Sequence, residues 1–547
     1  MLRLWVGAQP AAIIAELITA AANTSNHTYS VSPFPSTAEL VVLRKLRELI
    51  GFPSADIAKA VPGNGAMPTK RSSGTGSALG TSRPGSASSD TSAEVPPPAQ
   101  AAGGGLAATT PATTTASQST LLEDAARGDG VFCPGGSYSN MLAMLLARHN
   151  AAPDLAACGW VKYVQGGGKP MFVFISAQAH YSSARAAAVL GMGAEGVVRV
   201  ACDGAGRMLP SALDAELRRC LQEGGRPLMV VATAGSTVTG AFDHVTQIAA
   251  VVDKWGAHME QEAAEGTSPC DPCVPVLHTS GACVGQRKHI WLHVDGSWGG
   301  STIMLDATHP DRQLVSGLHL ADSFVVNPHK LLGSTHQCST LLVKSHHILR
   351  ASCASNAKYL FHQHPLAEFD LGDKLLTCGR KADSAKLWML WRSSTTEGFG
   401  ERVAHALRCA RDFETLLLAD ERYVRVVPRS SFNVCFWYVP EQGGLRSAVR
   451  GAAKAQDEAS NEQRRTLALE RYGEQLAGCV QPMYQAMQRN GSLLINHNPL
   501  PDQGIPRFFR VVFNSPAVKE EHLHFILDEM PRLAIEAGVD TKPTGQN

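Results

Sequence analysis

Long apolar runs are missing from this sequence. The nearest approach, Pro10 to Ala22, is broken by Glu16, so no segment has the length and polarity of a bilayer span. That stretch reads instead as an ordinary amphipathic helix. Only fragments of a secretory leader are present, while an organelle transit peptide stays open. Charge of one sign is equally scarce: 49 Lys and Arg stand against 48 Asp and Glu, for a formal net charge of +1. Such a balance offers neither a nucleic-acid surface nor an acidic, solvating tail. A disulfide ladder is absent too. The 13 cysteines are odd in number and irregularly spaced, which suits a reducing, cytoplasmic compartment.

Large apolar residues all but vanish over residues 54–129, where "KRSSGTGSALGTSRPGSASSDTSAEVPPPAQAAGGG" and "TTPATTTASQST" predict a disordered insertion. A second insertion is expected at about 257–288 and a third, polar and helical or loose, at about 441–462. What remains is substantial. With 547 residues and 44% hydrophobic composition the chain can bury a large core in two or more domains. Short apolar runs, "MFVFIS", "PLMVVATAG", "IWLHVD" and "SFVVN", alternate with the helix-like "SSARAAAVLG" and "VTQIAAVVDKWG". Strands apolar on both faces and separated by helices predict an α/β fold with a mostly parallel sheet, whose ligands sit beyond the strands' carboxyl ends. The expected division is an N-terminal segment, 1–53, packing on a large domain, 130–403, followed by a smaller α/β domain, 404–547, containing "NVCFWYV" and "RFFRVVF".

Chemistry-bearing residues gather at those strand ends. In "ADSFVVNPHKLLG" an amine, Lys330, follows a buried strand; it must snorkel to water, be neutralised, or be tied up covalently as a Schiff base. In "FCPGGSYSN" the backbone N–H groups of Gly135, Gly136 and Ser137 open a helix, which suits phosphate as readily as a plain turn. His180 in "FISAQAH" is a core histidine or a ring partner. Ser236 and Thr237 in "ATAGSTVTG" cap a turn or serve a ligand. Asp295 ends "WLHVD", where a carboxylate needs a partner, structural or a protonated ring nitrogen. In "CDPCVPVLHTSGAC", Cys270, Cys273, His278 and Cys283 have the C-x2-C-x4-H-x4-C spacing of a zinc knuckle, without the aromatic and glycine residues that usually shape one.

A phosphate cradle, a flat ring, a buried carboxylate and a lysine on separate strands meet the needs of pyridoxal 5'-phosphate. On these motifs the sequence resembles the group II pyridoxal-phosphate-dependent amino acid decarboxylases, in the branch of cysteine sulfinate and glutamate decarboxylases. "FCPGGS", "WLHVDGSWGGS", "NPHKLL" and "ANTS" are more similar to the cysteine sulfinate group. The resemblance runs from "AANTSNHTYS" to "PRFFRVVFNSPAV" and implies the fold type I architecture. It further implies that Lys330 carries the cofactor in Schiff-base linkage and that Asp295 faces the pyridinium. By the same resemblance His180 stacks on the ring, His329, Gly136 and Ser137 lie about the phosphate, and Ser236 and Thr237 count among the cofactor-binding residues.

For the substrate, a small acidic amino acid, the resemblance implies contacts from Ser25 and Arg510, an Arg fork being suited to carboxylate or sulfinate. It also implies a homodimer, with no nucleic acid and no membrane as partners. Three departures stand out. "YLFHQHPLAEFDLGDK" is shorter than the mobile loop of relatives and has no Tyr after Tyr359, leaving His362 or His364 to protonate the substrate carbon, with a slow or silent homologue as the alternative. The chain starts near the point where relatives carry dimer-spanning helices and a substrate-contacting Gln, which implies a shortened sequence or a weaker dimer. Gly296 and Ser297 replace a usual Ala-Ala pair. An aminotransferase on the same fold remains the other reading.

Overall fold

A computed structural model describes residues 7–52, 128–265, 290–355, 357, 359–362, 367–450 and 458–541. They belong to one compact unit, formed by Met1–Asp56 and Asp124–Asn547. The insertion expected at 54–129 lies outside the described residues except at its end, where Asp129 opens the first strand.

Eleven strands form two sheets among the described residues. The larger has seven: β1 (Asp129–Cys133), β2 (Met171–Ser176), β3 (Val197–Val200), β4 (Arg226–Thr233), β5 (Trp291–Gly296), β6 (Ser323–Val326) and β7 (Ser339–Val343). Their order is β1-β7-β6-β5-β4-β2-β3. From β6 through β3 every pairing is parallel, while β7 and β1 join antiparallel at one side. Each residue of β4, β5 and β6 is buried, the expected fate of a strand covered on both faces. Burying one such Val or Leu contributes about 1.5–3 kcal/mol, so these runs fix the sheet before any polar contact matters.

The helix expected over "VTQIAAVVDKWG" runs from Val245 to Ala264, consuming the first part of the insertion placed at 257–288. The polar stretch near 441–462 contains a short helix, Leu445–Arg450, and the start of a long one, Glu458–Asn490. The smaller sheet is antiparallel, in the order β10 (Asn496–Leu500), β11 (Ile505–Val512), β9 (Asn433–Tyr438) and β8 (Tyr423–Arg425). A helix, Asp383–Ala419, runs through the expected 403/404 boundary and bends at Thr395, whose φ of 61° is unusual for a β-branched residue.

The N-terminal helix, Pro10–Ala22, has the bounds expected from sequence. Ala12, Ala15 and Thr19 face inward, whereas Ile13, Ile14, Leu17 and Ile18 are 47%, 58%, 65% and 49% exposed. Glu16 fastens it, pairing with Lys381 and, at 2.7 Å, with Lys386. A buried network holds the following segment against β1. Glu39 accepts from Arg380 Nη2 at 2.6 Å, from the Phe132 N–H at 3.0 Å and from Asn26 Nδ2 at 2.8 Å.

Candidate active site

Register brings the strand ends level. Asp295 lies beside Thr233 of β4 and Val325 of β6, and Lys330 follows β6 after the turn formed by Asn327, Pro328 and His329. That turn is pinned. The Lys330 N–H donates to the Asn327 carbonyl at 3.0 Å, and the Asn327 side-chain oxygen accepts from Ser339 Oγ at 2.7 Å. Ser339 in turn meets Ser139, on the Gly136–Ala151 helix, at 2.8 Å. Close approach explains the glycine at the head of this helix: a Cβ on Gly136 would lie 2.5 Å from Ser297 Oγ and 2.7 Å from Asn327 Nδ2. The helix start, the end of β5 and the turn after β6 therefore share one small volume.

Asp295 is buried, and burial opposes its charge. Hydrogen bonding from Ser297 outweighs that cost and holds the carboxyl below its usual range. Direct hydrogen bonds come from neutral amides: Asn140 Nδ2 donates to Oδ2 at 2.8 Å and the Ser297 N–H to Oδ1 at 3.0 Å. Lys330 is buried as well. Desolvation pulls its ammonium pKa down against the attraction of Asp295, which favours the neutral, nucleophilic amine. Burial also holds His180 below its ordinary value despite Asp295. Burial, with His336 at a ring-centroid distance of 4.5 Å, pushes His329 down to about 3.

Among the other candidates, the Ser236 hydroxyl is buried against Thr239 Oγ1 at 2.7 Å and accepts from the Ala241 N–H at 3.1 Å. The Thr237 carbonyl accepts from Arg510 Nη1 at 2.6 Å, which brings this buried guanidinium of β11 to the loop after β4. The Arg510 Nε is buried without a hydrogen-bond partner among the described residues, and desolvation lowers the guanidinium pKa. Ser137 is exposed at the helix start. Ser25 accepts from the Arg380 N–H at 3.1 Å and so is tied to the network under β1. His362 is exposed. His364 and the zinc-ligand candidates Cys270, Cys273, His278 and Cys283 lie outside the described residues.

Three polar residues of this cluster carried no weight in the sequence: Asn140, Ser182 and His293. Asn140 Nδ2 reaches Ser182 Oγ at 2.9 Å as well as Asp295, and its Oδ1 lies 3.1 Å from His293 Nε2. The signals that mark them are periodic. His293 shares a strand face with Asp295 two positions on, and Asn140 lies one helical turn after Gly136. In chemical type the set fits pyridoxal phosphate: a buried carboxylate held by neutral amides for a protonated ring nitrogen, a deprotonatable amine for an aldehyde, a neutral imidazole and a helix N-terminus.

Comparison with known proteins gives the same direction. A family model described as "Pyridoxal-dependent decarboxylase conserved domain" matches residues 113–439. Acidic amino acid decarboxylase GADL1 of Homo sapiens is 35% identical over 409 residues, 74% of this chain and 66% of that protein, so the chain spans slightly less than two thirds of this relative's length. Cysteine sulfinic acid decarboxylase of Homo sapiens is 30% identical over 534 residues, 97% of this chain and 81% of the relative. The crystal structure of mouse CSAD superposes with a TM-score of 0.69 at 28% identity, covering 97% of this chain and 83% of that one.

Proposed function

Because the chain belongs to the family of pyridoxal-dependent decarboxylases, we propose that it decarboxylates an acidic amino acid, cysteine sulfinate, aspartate or glutamate, to the amine and carbon dioxide. The observation that carries this reading is the pairing of Asp295, a buried carboxylate held by neutral amides, with Lys330, a buried amine of lowered pKa. When bound, pyridoxal phosphate supplies an electron sink for the pair released as the carboxylate leaves.

The protein's part is positioning and charge. Lys330 would hold the cofactor aldehyde, Asp295 would keep a proton on the ring nitrogen and His180 would lie against the ring. Gly136, Ser137 and His329 would hold the phosphate, with Ser236 and Thr237 as further cofactor contacts. Arg510, buried with an unsatisfied Nε, is suited to a substrate carboxylate; Ser25 contributes from the N-terminal segment. The apolar row of Ile13, Ile14, Leu17 and Ile18 supports a homodimer, a second copy covering what one chain exposes. Ten cysteines among the described residues are free thiols, in keeping with a cytoplasmic setting. No helix among the described residues is long and apolar enough to cross a membrane.

The test is carbon dioxide release from labelled cysteine sulfinate, aspartate and glutamate with pyridoxal phosphate added, beside Lys330→Ala. Release that requires Lys330 is expected and ranks the substrates. Keto acid formation in its place would make the protein an aminotransferase, and cofactor uptake with neither product a silent homologue.

A further inference from the structure

The Asn140 amide joins more than Asp295. A buried chain of contacts runs from Trp291 Nε1 to Ser323 Oγ at 2.8 Å, from Ser323 Oγ to His293 Nδ1 at 2.8 Å, and from His293 Nε2 to Asn140 Oδ1 at 3.1 Å. It then forks, because Asn140 Nδ2 reaches both Asp295 Oδ2 at 2.8 Å and Ser182 Oγ at 2.9 Å, and Ser182 Oγ lies 2.9 Å from His180 Nδ1.

The donors in this chain can be assigned from its ends. A carboxylate only accepts, so the Asn140 NH₂ faces Asp295. At the other branch the Ser182 backbone N–H points at His180 Nδ1 at 3.3 Å, and a backbone N–H only donates. His180 Nδ1 therefore accepts, Ser182 gives it the hydroxyl proton, and the Ser182 oxygen takes the second Asn140 N–H. Both branches demand the same amide orientation. Asn140 Oδ1 is then left facing His293, whose Nε2 must carry a proton. Burial keeps His293 neutral, its pKa pushed down to about 4, so Nδ1 accepts from Ser323 and the Ser323 oxygen from the indole N–H of Trp291. Each donor finds one acceptor from end to end.

We infer that Asn140 is a positioning residue whose amide, turned one way by both branches, holds Asp295 as a carboxylate and keeps the His293 proton on Nε2, in step with the His180 tautomer protonated at Nε2 that the Ser182 N–H fixes. No other side chain of its size does both tasks. An aspartate in its place offers only acceptors, so two carboxylates would meet at hydrogen-bond distance and share a proton. The proton directions stand by themselves; their effect on a bound ring rests on the cofactor reading given above.

The experiment compares the wild-type chain, Asn140→Asp and His293→Gln. Nitrogen-15 NMR of labelled histidine, without added cofactor, reads the protonated nitrogens of His180 and His293. The visible absorbance of the pyridoxal-phosphate-loaded protein is titrated in parallel. In the wild-type chain both rings should be neutral with the proton on Nε2. Asn140→Asp should give His293 a second proton at neutral pH and move the absorbance titration by about one pH unit or more. His293→Gln, whose amide donates as Nε2–H does, should leave the His180 tautomer in place. Unchanged His293 signals in Asn140→Asp, or a His180 proton on Nδ1 in the wild-type chain, would overturn the inference. The NMR result with no carbon dioxide release would sink the decarboxylase reading and leave this one standing.

Discussion

Two buried carboxylates, Glu39 and Asp295, are held in opposite ways. Glu39 accepts from the Arg380 guanidinium, and the segment after the N-terminal helix is locked to β1 by that matched pair. Asp295 accepts from the amides of Asn140 and Ser297, which solvate its charge without cancelling it. A structural network closes on itself, whereas this second network preserves a negative charge at a strand end for something else to meet. Burial alone does not separate the two cases; the charge of the donor does.

Exchanging each carboxylate for its amide should separate them most sharply. Glu39→Gln strands a buried guanidinium and is expected to cost about 3–5 kcal/mol in urea unfolding, while the specific activity of the folded fraction stays near that of the parent. Asp295→Asn should reverse the pattern, lowering turnover about 10²–10³-fold with a much smaller change in unfolding midpoint. Equal losses of stability in the two variants would erase the distinction.

Acid provides the next test. Burial holds His293 neutral down to about pH 4 in the folded chain, but once unfolded it binds a proton near its ordinary 6.5. The unfolded state therefore carries more protons in that interval, and stability falls as pH drops from about 6.5 to about 4. Asp243, which burial pushes up to about 7, acts in the opposite sense. The quantity to measure is thus the difference between the wild-type chain and His293→Gln, expected to narrow by about 2–3 kcal/mol over the window. The mildest change is Gly136→Ala, which crowds Ser297 and Asn327 and should cost about 1–3 kcal/mol, seen first as faster loss of pyridoxal phosphate on dialysis.

Much of this was legible in the chain. Apolar runs bounded by turn residues marked β2, β4, β5 and β6, because a strand buried on both faces leaves no polar position to blur it. The antiparallel strand β1 was harder: it starts at Asp129, directly after the low-complexity tract, and among the described residues its sheet partner is β7, far away in sequence. Lys330, His180 and Asp295 stood out because each interrupts an apolar run at its end. Asn140 did not, since one amide in the amphipathic "SYSNMLAMLLAR" resembles any helix-surface residue until the fold brings Asp295, 155 positions away, against it. His293 was hidden by its neighbour, lying inside a motif whose weight fell on the aspartate.

The pairing of β1 with β7 also bears on how the chain is made. Asp129 pairs with Val343, and the contact of Ser139 with Ser339 spans 200 positions. A ribosome must therefore deliver everything through the seventh strand before the first has a neighbour, and until then both its edges are open to other chains. Nascent protein arrested anywhere short of residue 343 carries an unpaired apolar strand, so the step at which this molecule is most vulnerable to aggregation comes during synthesis, before the finished sheet exists.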